Sequence, residues 1–378
     1  MPYPHASHGN ISYVLLGFMI AGGCRTMSPA ARHVAQMHGV IGCAPASCGG
    51  ADSQVEVTYL GVSGLLVRYD GGALMTAPFF SNPSVEKVAL STVRIPGRRG
   101  YSIRPDTALI DRFLPRSADA ASAILVGHGH YDHLMDVAHI ANSRAKAATI
   151  YGGPTVRHML MGDSGLATRG GSRVVAIRAR QSGTINRIGD WTYTSDGNFR
   201  FMALIANHGP MLRQFGLDYH FAGGRLFSDM AEMPRSAWDW KLGEPYAFLI
   251  DVLARGDSTP RFRIYYQDAP SSPPWGFPPR AVLDERGVDL AIICAATTTY
   301  VGGAPDQLIR HIAPRHVMVT HWESFFRRGT LGVHSGQAAN LDKFTKLLER
   351  SLPANASWAM PAPQTAYRFR AAFSGKRN

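Results

Sequence analysis

The sequence predicts a layered α/β or α+β fold, and three observations carry that reading. The segment from Val55 to Phe80, VEVTYLGVSGLLVRYDGGALMTAPFF, alternates apolar with polar or small residues around Asp70-Gly71-Gly72. That pattern is the signature of a β-hairpin opening a half-buried sheet. Short apolar runs bounded by turn residues then recur along the chain, and several are separated by stretches with helical spacing. Strands and helices mixed in this way pack as layers around a common core.

In order, the strand-like runs are Ala123 to Val126, Ala147 to Tyr151, Arg173 to Ile177, Phe201 to Ala206, Ala247 to Leu253, Phe262 to Tyr266, Leu290 to Ala295 and Val317 to Thr320. Each is four to eight residues long, as expected of strands buried on one or both faces. Met135 to Asn142, Asp306 to His311 and Gln337 to Leu352 read as helices, the last closing the fold. Pro270 to Pro279, PSSPPWGFPP, is a loop and not a linker, because strands continue on both sides. No internal repeat is visible. The body is therefore read as one domain, residues 55–373, although 378 residues alone would suggest two or three.

Residues 1–54 differ in character. Ile11 to Cys24, ISYVLLGFMIAGGC, resembles the apolar region of a secretory signal, although no Lys or Arg stands among the first ten residues. Ala21 to Cys24 and Val40 to Cys43 each look like a lipoprotein processing site, and Ala44 to Gln54 reads as a Gly/Ser/Ala/Pro linker. The expectation is export to the periplasm, or membrane attachment through an N-terminal lipid anchor; the alternative is a cytoplasmic protein with an N-terminal extension. Three of the four cysteines (Cys24, Cys43, Cys48) lie in this leader, and only Cys294 lies in the body, inside an apolar run. No CxxC is present, which leaves neither a redox motif nor a thiolate zinc site.

Composition narrows the classes further. A chain that is 45% hydrophobic can bury a large core, and no apolar run reaches the ~20 residues that a membrane-spanning helix needs. The net charge is +12 and the pI about 9.8. Of the 39 basic residues only six are lysines, leaving 33 arginines, and these are scattered without a block of five. General arginine richness accounts for the charge better than a nucleic-acid surface does, and nucleic acid is not the expected partner.

Chemistry concentrates in Ser122 to Val137, SAILVGHGHYDHLMDV. A buried strand runs into a Gly-containing turn and then meets His128, His130, Asp132 and His133. On an extended chain, residues i and i+2 share a face, so His128 and His130 converge on one metal. Asp132 and His133 turn into the start of a helix and serve a second metal, ~3.5–4 Å from the first. Imidazole and carboxylate ligands without a thiolate suit zinc, and they tolerate iron or manganese.

This HxHxDH run resembles the metallo-β-lactamase superfamily, and HYDHLMD looks particularly like its phospholipase D-type and lactonase-like members. The opening hairpin is similar too, so that the likeness extends over about residues 55–325. The resemblance implies a four-layer αββα sandwich with further ligands at strand ends, in the order histidine, aspartate, histidine. His208, Asp268 and His321 stand in those positions, each after an apolar run. By resemblance, His128, His130 and His208 hold one metal, Asp132, His133 and His321 hold the other, and Asp268 bridges them. Asp229, which also ends a strand-like run, competes with Asp268 for that role. His220, His311, His316 and His334 are left outside the site. One departure is plain: the family commonly has Asp-Pro at the end of the opening hairpin, where this chain has Ala77-Pro78. That aspartate usually supports a ligand imidazole, so its loss is expected to spare the metals but to alter the orientation and basicity of a ligand.

The activity implied is that of a dinuclear metal-dependent hydrolase acting on an ester, lactone or phosphodiester of a small molecule, lipid-like or anionic. Asp132 or Asp268 is the expected catalytic proton relay, and Tyr131 or Tyr300 a candidate donor to an oxyanion. Trp238, Trp240, Trp275 and Phe277 are candidates for an apolar lid or for plain packing. The alternatives are a mononuclear iron dioxygenase acting on a persulfide, a nuclease, and a metal-binding protein without catalysis.

Overall fold

The computed structural model describes residues 41–43, 54–93, 101–168, 171–214, 217–254, 256–326 and 340–371. The proposed signal region and linker, apart from Ile41–Cys43 and Gln54, lie outside these residues, as do Cys24, Cys48 and His334. Ile41–Cys43, which the sequence reading assigns to the leader, pairs antiparallel with Ala366–Arg370 and forms a sheet edge. No helix among the described residues is long and apolar enough to cross a membrane.

Two large sheets dominate. The first runs edge to edge as Ile41–Cys43, Ala366–Arg370, Gln54–Gly61, Gly64–Tyr69, Gly72–Thr76, Ala121–Leu125, Thr149–Gly152 and Val174–Ala176. The second runs as Ser357–Ala359, His316–Thr320, Leu290–Cys294, Pro260–Gln267, Tyr246–Leu253, Phe199–Ile205 and Thr192–Tyr193. Every strand-like run of the sequence is a strand here, and the predicted hairpin pairs Glu56 with Arg68 and Leu66 with Met75.

Strand alternation makes the sandwich. Val55, Val57, Tyr59, Leu65, Val67 and Leu74 of the first sheet face Phe201, Phe248, Ile250, Ile264, Tyr266 and Ile292 of the second in one buried cluster. The opposite face of the first sheet, with Leu66, Met75, Ile124 and Ile150, packs against Val88, Ile110, Ile140, Val156 and Leu160 from helices. The opposite face of the second, with Leu204, Leu249, Ile293 and Val319, packs against Leu283, Leu308, Ile309, Phe344 and Leu348. Helix, sheet, sheet, helix is the four-layer αββα sandwich. A period of two along the strands sends successive side chains into different layers, and for that reason both faces of these strands are apolar.

One polar row interrupts the second sheet. Its register aligns Arg200, Asp251 and Arg263 across three adjacent strands. Asp251 is fully buried and receives Arg263 Nε at 2.6 Å and Arg200 Nε at 2.9 Å. Arg263 also donates to the carbonyls of Val282 and Arg286, which ties the sheet to the helix Arg280–Glu285. Asp251→Ala leaves two guanidinium groups without their shared carboxylate and is expected to cost about 3–5 kcal/mol in urea unfolding. A loss below about 1 kcal/mol, the range of an exposed pair, would contradict this account of the row.

Candidate metal centre

Four strands of the sandwich end at the same edge, and each delivers part of one cluster. Ala121–Leu125 leads into His128, His130, Asp132 and His133; Phe199–Ile205 into His208; Pro260–Gln267 into Asp268; His316–Thr320 into His321. The last three strands run parallel to one another, so their carboxyl ends coincide. The crevice beyond the carboxyl ends of strands is where ligands of α/β sheets characteristically bind.

The loop after Leu125 is held by backbone bonds. Val126 N–H donates to Tyr151 O, Gly129 N–H to Leu242 O, and Tyr246 N–H to Gly127 O. A Cβ on Gly129 would lie 2.2 Å from Lys241 O, so glycine is required where this loop passes that chain. His130 stands in an extended conformation at the N-terminus of the short helix Tyr131–Leu134, which carries Asp132 and His133, and the His133 ring lies 4.2 Å from that of His128, centroid to centroid.

All seven predicted residues come together. His128, His130 and His208 form one group, Asp132, His133 and His321 a second, and His128, His133 and Asp268 a third; within each group the candidate ligand atoms lie within 4.8 Å of one another. In the first group His128 Nε2 faces His130 Nδ1 at 3.1 Å, and His208 Nδ1 meets Gly209 O at 2.6 Å, which leaves His208 Nε2 free to turn inward. In the second, Asp132 Oδ2 lies 3.1 Å from His321 Nε2 and 3.4 Å from His133 Nε2. Asp268 lies against the Nδ1 edges of His128, at 3.1 Å, and His133, at 3.7 Å, and accepts Gly127 N–H at 3.1 Å.

Electrostatics separates the two histidine groups. Burial, reinforced by neighbouring imidazoles, pushes His128 and His130 well below the usual histidine range and His208 down to about 4, keeping them neutral. A neutral imidazole is the form that binds metal. Burial also lowers His133, but the carboxylates of Asp132 and Asp268 outweigh it and raise the group. Burial pulls Asp132 upward, while His133 and His321 more than offset it and hold the carboxyl well below its usual range. Four buried imidazoles, the half-buried His208 and two buried carboxylates, with candidate ligand atoms this close, form a donor set that fits divalent metal.

The competitors fall away. Asp229 is half-exposed and pairs with Arg157 at 3.1 Å and His158 at 2.6 Å. His220 is exposed, His311 Nε2 meets Pro278 O, and His316 Nδ1 meets Ser357 Oγ. The proposed aromatic lid does not exist as one surface. Trp240 (1% exposed) and Phe277 (5%) are core residues of different layers, Trp275 is 44% exposed, and Trp238 packs edge-on against Phe221. Tyr131 is buried between Phe79 and Phe325, whereas Tyr300 sits half-buried in a 3-10 turn. Phe325 stacks edge-on to His321 and also meets the rings of Tyr131 and Phe326.

Two supports escape the sequence reading. Asp136, one turn beyond His133, is fully buried and accepts Phe80 N–H, Ser81 N–H and Ser81 Oγ–H, pinning the loop after Ala77-Pro78 to the histidine helix. Glu323 accepts the Tyr59 hydroxyl at 2.6 Å and Val62 N–H at 2.5 Å, and His321 N–H donates to Val62 O at 2.5 Å. His321 has φ +54°, a left-handed conformation uncommon for any residue but glycine, and this network holds it there. Ala77 is fully buried beside the strand that feeds the motif, its N–H donating to Leu125 O.

The facing sheets with helical layers outside them have the architecture of the metallo-β-lactamase fold, and the His and Asp cluster lies at its strand ends. No family model matches the sequence, and neither does any curated protein. Solved structures with a similar fold include Igni18, a metallo hydrolase of the hyperthermophilic archaeon Ignicoccus hospitalis, 15% identical over 84% of this chain and 98% of that one with a TM-score of 0.47. The metallo-β-lactamase fold protein YhfI of Bacillus subtilis is 13% identical over 84% and 100%, TM-score 0.44. CmlA of Streptomyces venezuelae, a diiron β-hydroxylase, is 12% identical over 85% and 55%, TM-score 0.44. At such identities the likeness is one of fold alone.

Burial raises the Asp136 carboxyl to about 6. A native value above the unfolded one gives stability that is complete below pH about 4 and lost as pH rises through about 6, amounting to at most about 3 kcal/mol. Asp136→Asn should flatten the stability curve across that window in urea titrations at several pH values. An unchanged slope would show that Asp136 is already ionised at pH 4.

Proposed function

We propose that the chain is a dinuclear metal-dependent hydrolase of small-molecule esters, lactones or phosphodiesters. The observation that carries this reading is the pair of triads, His128–His130–His208 and Asp132–His133–His321, buried except for the half-buried His208, each with its candidate ligand atoms within 4.8 Å of one another and both at the carboxyl ends of the strands. Two divalent cations held there, zinc above all and iron or manganese as alternatives, would acidify a shared water and polarise the carbonyl or phosphoryl oxygen under attack.

The chain's own groups divide the remaining work. His128, His130 and His208 offer neutral nitrogens, His133 and His321 add two further imidazoles, and Asp132 supplies the negative charge that favours a cation at the second triad. Asp132, which faces His133 and His321, and Asp268, which accepts Gly127 N–H, are the two carboxylates for proton transfer. Phe325, partly buried and edge-on to His321, supports a substrate with an apolar portion. The complete second triad favours hydrolysis over mononuclear iron chemistry, which needs only one set of ligands. Export and lipid anchoring stay part of the proposal on the strength of Ile11 to Cys24 alone.

Elemental analysis of the purified full-length protein should give two divalent metals per chain. His208→Ala and His321→Ala should each lower that to about one, with hydrolysis of a panel of esters, lactones and phosphodiesters falling by at least ~100-fold. One iron per chain in the wild type, or two metals with no hydrolysis of any panel member, would overturn the reading.

A further inference from the structure

An imidazole has two nitrogen edges, and only one of them can face a metal. In His128 the Nε2 edge meets His130 Nδ1, and the Nδ1 edge meets Asp268 Oδ1 at 3.1 Å. In His133 the Nε2 edge lies 3.4 Å from Asp132 Oδ2, and the Nδ1 edge lies 3.7 Å from Asp268 Oδ2, an ion-pair separation longer than a hydrogen bond. Asp268 thus sits behind one ring of each triad, on the side away from the groups with which those rings converge. Its remaining contact is Gly127 N–H.

We propose that Asp268 is a positioning residue that holds His128 and His133 from their outer edges, and not a ligand bridging two metals. This rests on the two-metal reading above. The resemblance implies an aspartate at the end of the opening hairpin for such a role, and this chain has Ala77 there; Asp268 supplies a carboxylate to the same motif from the strand Pro260–Gln267. A carboxylate on Nδ1–H fixes the tautomer that presents Nε2 and raises its basicity. The hydrogen-bond separation of 3.1 Å does this for His128, while at 3.7 Å the same carboxylate acts on His133 through its charge. Gly127 makes the approach possible: a Cβ there would come within 2.3 Å of Asp268 Oδ1.

Cobalt(II) titration of the metal-free full chain tests the proposal. Asp268→Asn keeps the side chain's shape and one acceptor oxygen but loses the charge. The proposal expects two cobalt ions per chain at saturation, a ligand-field spectrum of unchanged coordination number, and affinity weakened ~10–100-fold. Gly127→Ala keeps the charge but displaces the carboxylate, and should weaken affinity in the same direction. Saturation of Asp268→Asn at one cobalt per chain, or an affinity equal to wild type, would overturn it. Should Asp268→Asn fail to fold, Gly127→Ala decides: weaker binding of two ions supports the proposal and unchanged affinity refutes it. A wild type that never binds two ions would sink the two-metal reading instead, which separates the two failures.

Discussion

Gathering four buried imidazoles, the half-buried His208 and two buried carboxylates within a few ångströms of one another is the constraint on which the rest of this structure depends. Each ring loses its water, and no arginine or lysine enters the cluster to balance the carboxylates among the described contacts. The groups settle it among themselves: His128, His130 and His208 are driven toward neutrality, and Asp132 stays ionised beside His133 and His321. Desolvated polar groups at this density are tolerated where something binds them, because an unpaired buried polar group costs free energy in a fold whose net stability is small.

The sandwich is shaped to meet that constraint. Its three buried layers of contact fix the strands rigidly, and the parallel run of Phe199–Ile205, Pro260–Gln267 and His316–Thr320 brings their ends to one edge. The supports then work on single residues. Glu323 and Tyr59 hold the left-handed backbone at His321, Asp136 fastens the Phe80–Ser81 loop to the histidine helix, and Gly127 and Gly129 let the motif loop pass close to other chain segments. Strain of this kind persists only where the surroundings over-determine it, and such places tend to be functional.

Much of this was legible in the sequence, for reasons that differ by residue. His128 to His133 can be read because the spacing of an extended turn followed by a helix start is local. His208, Asp268 and His321 can be read because each ends an apolar run, and the strands' parallel order does the rest. Asp136 and Glu323 were not legible: their partners, Ser81 and Tyr59, lie 55 and 264 residues away, and no local pattern encodes a pairing so distant. The side of the ring on which Asp268 sits is likewise a tertiary fact. The aromatic lid failed for a related reason, since Trp238, Trp240, Trp275 and Phe277 are neighbours in composition but belong to separate layers or to the surface. The helices Val85–Ser91, Thr107–Phe113 and Pro154–Leu160 are short, and their apolar spacing is too brief to stand out.

The central claim is that the two triads each hold a cation. Anomalous-scattering maps from crystals of the zinc-loaded full-length protein test it most directly. The account predicts two peaks ~3.5–4 Å apart, one contacted by His128 Nε2, His130 Nδ1 and His208 Nε2, the other by Asp132, His133 Nε2 and His321 Nε2. A single peak, or peaks away from these atoms, would contradict it.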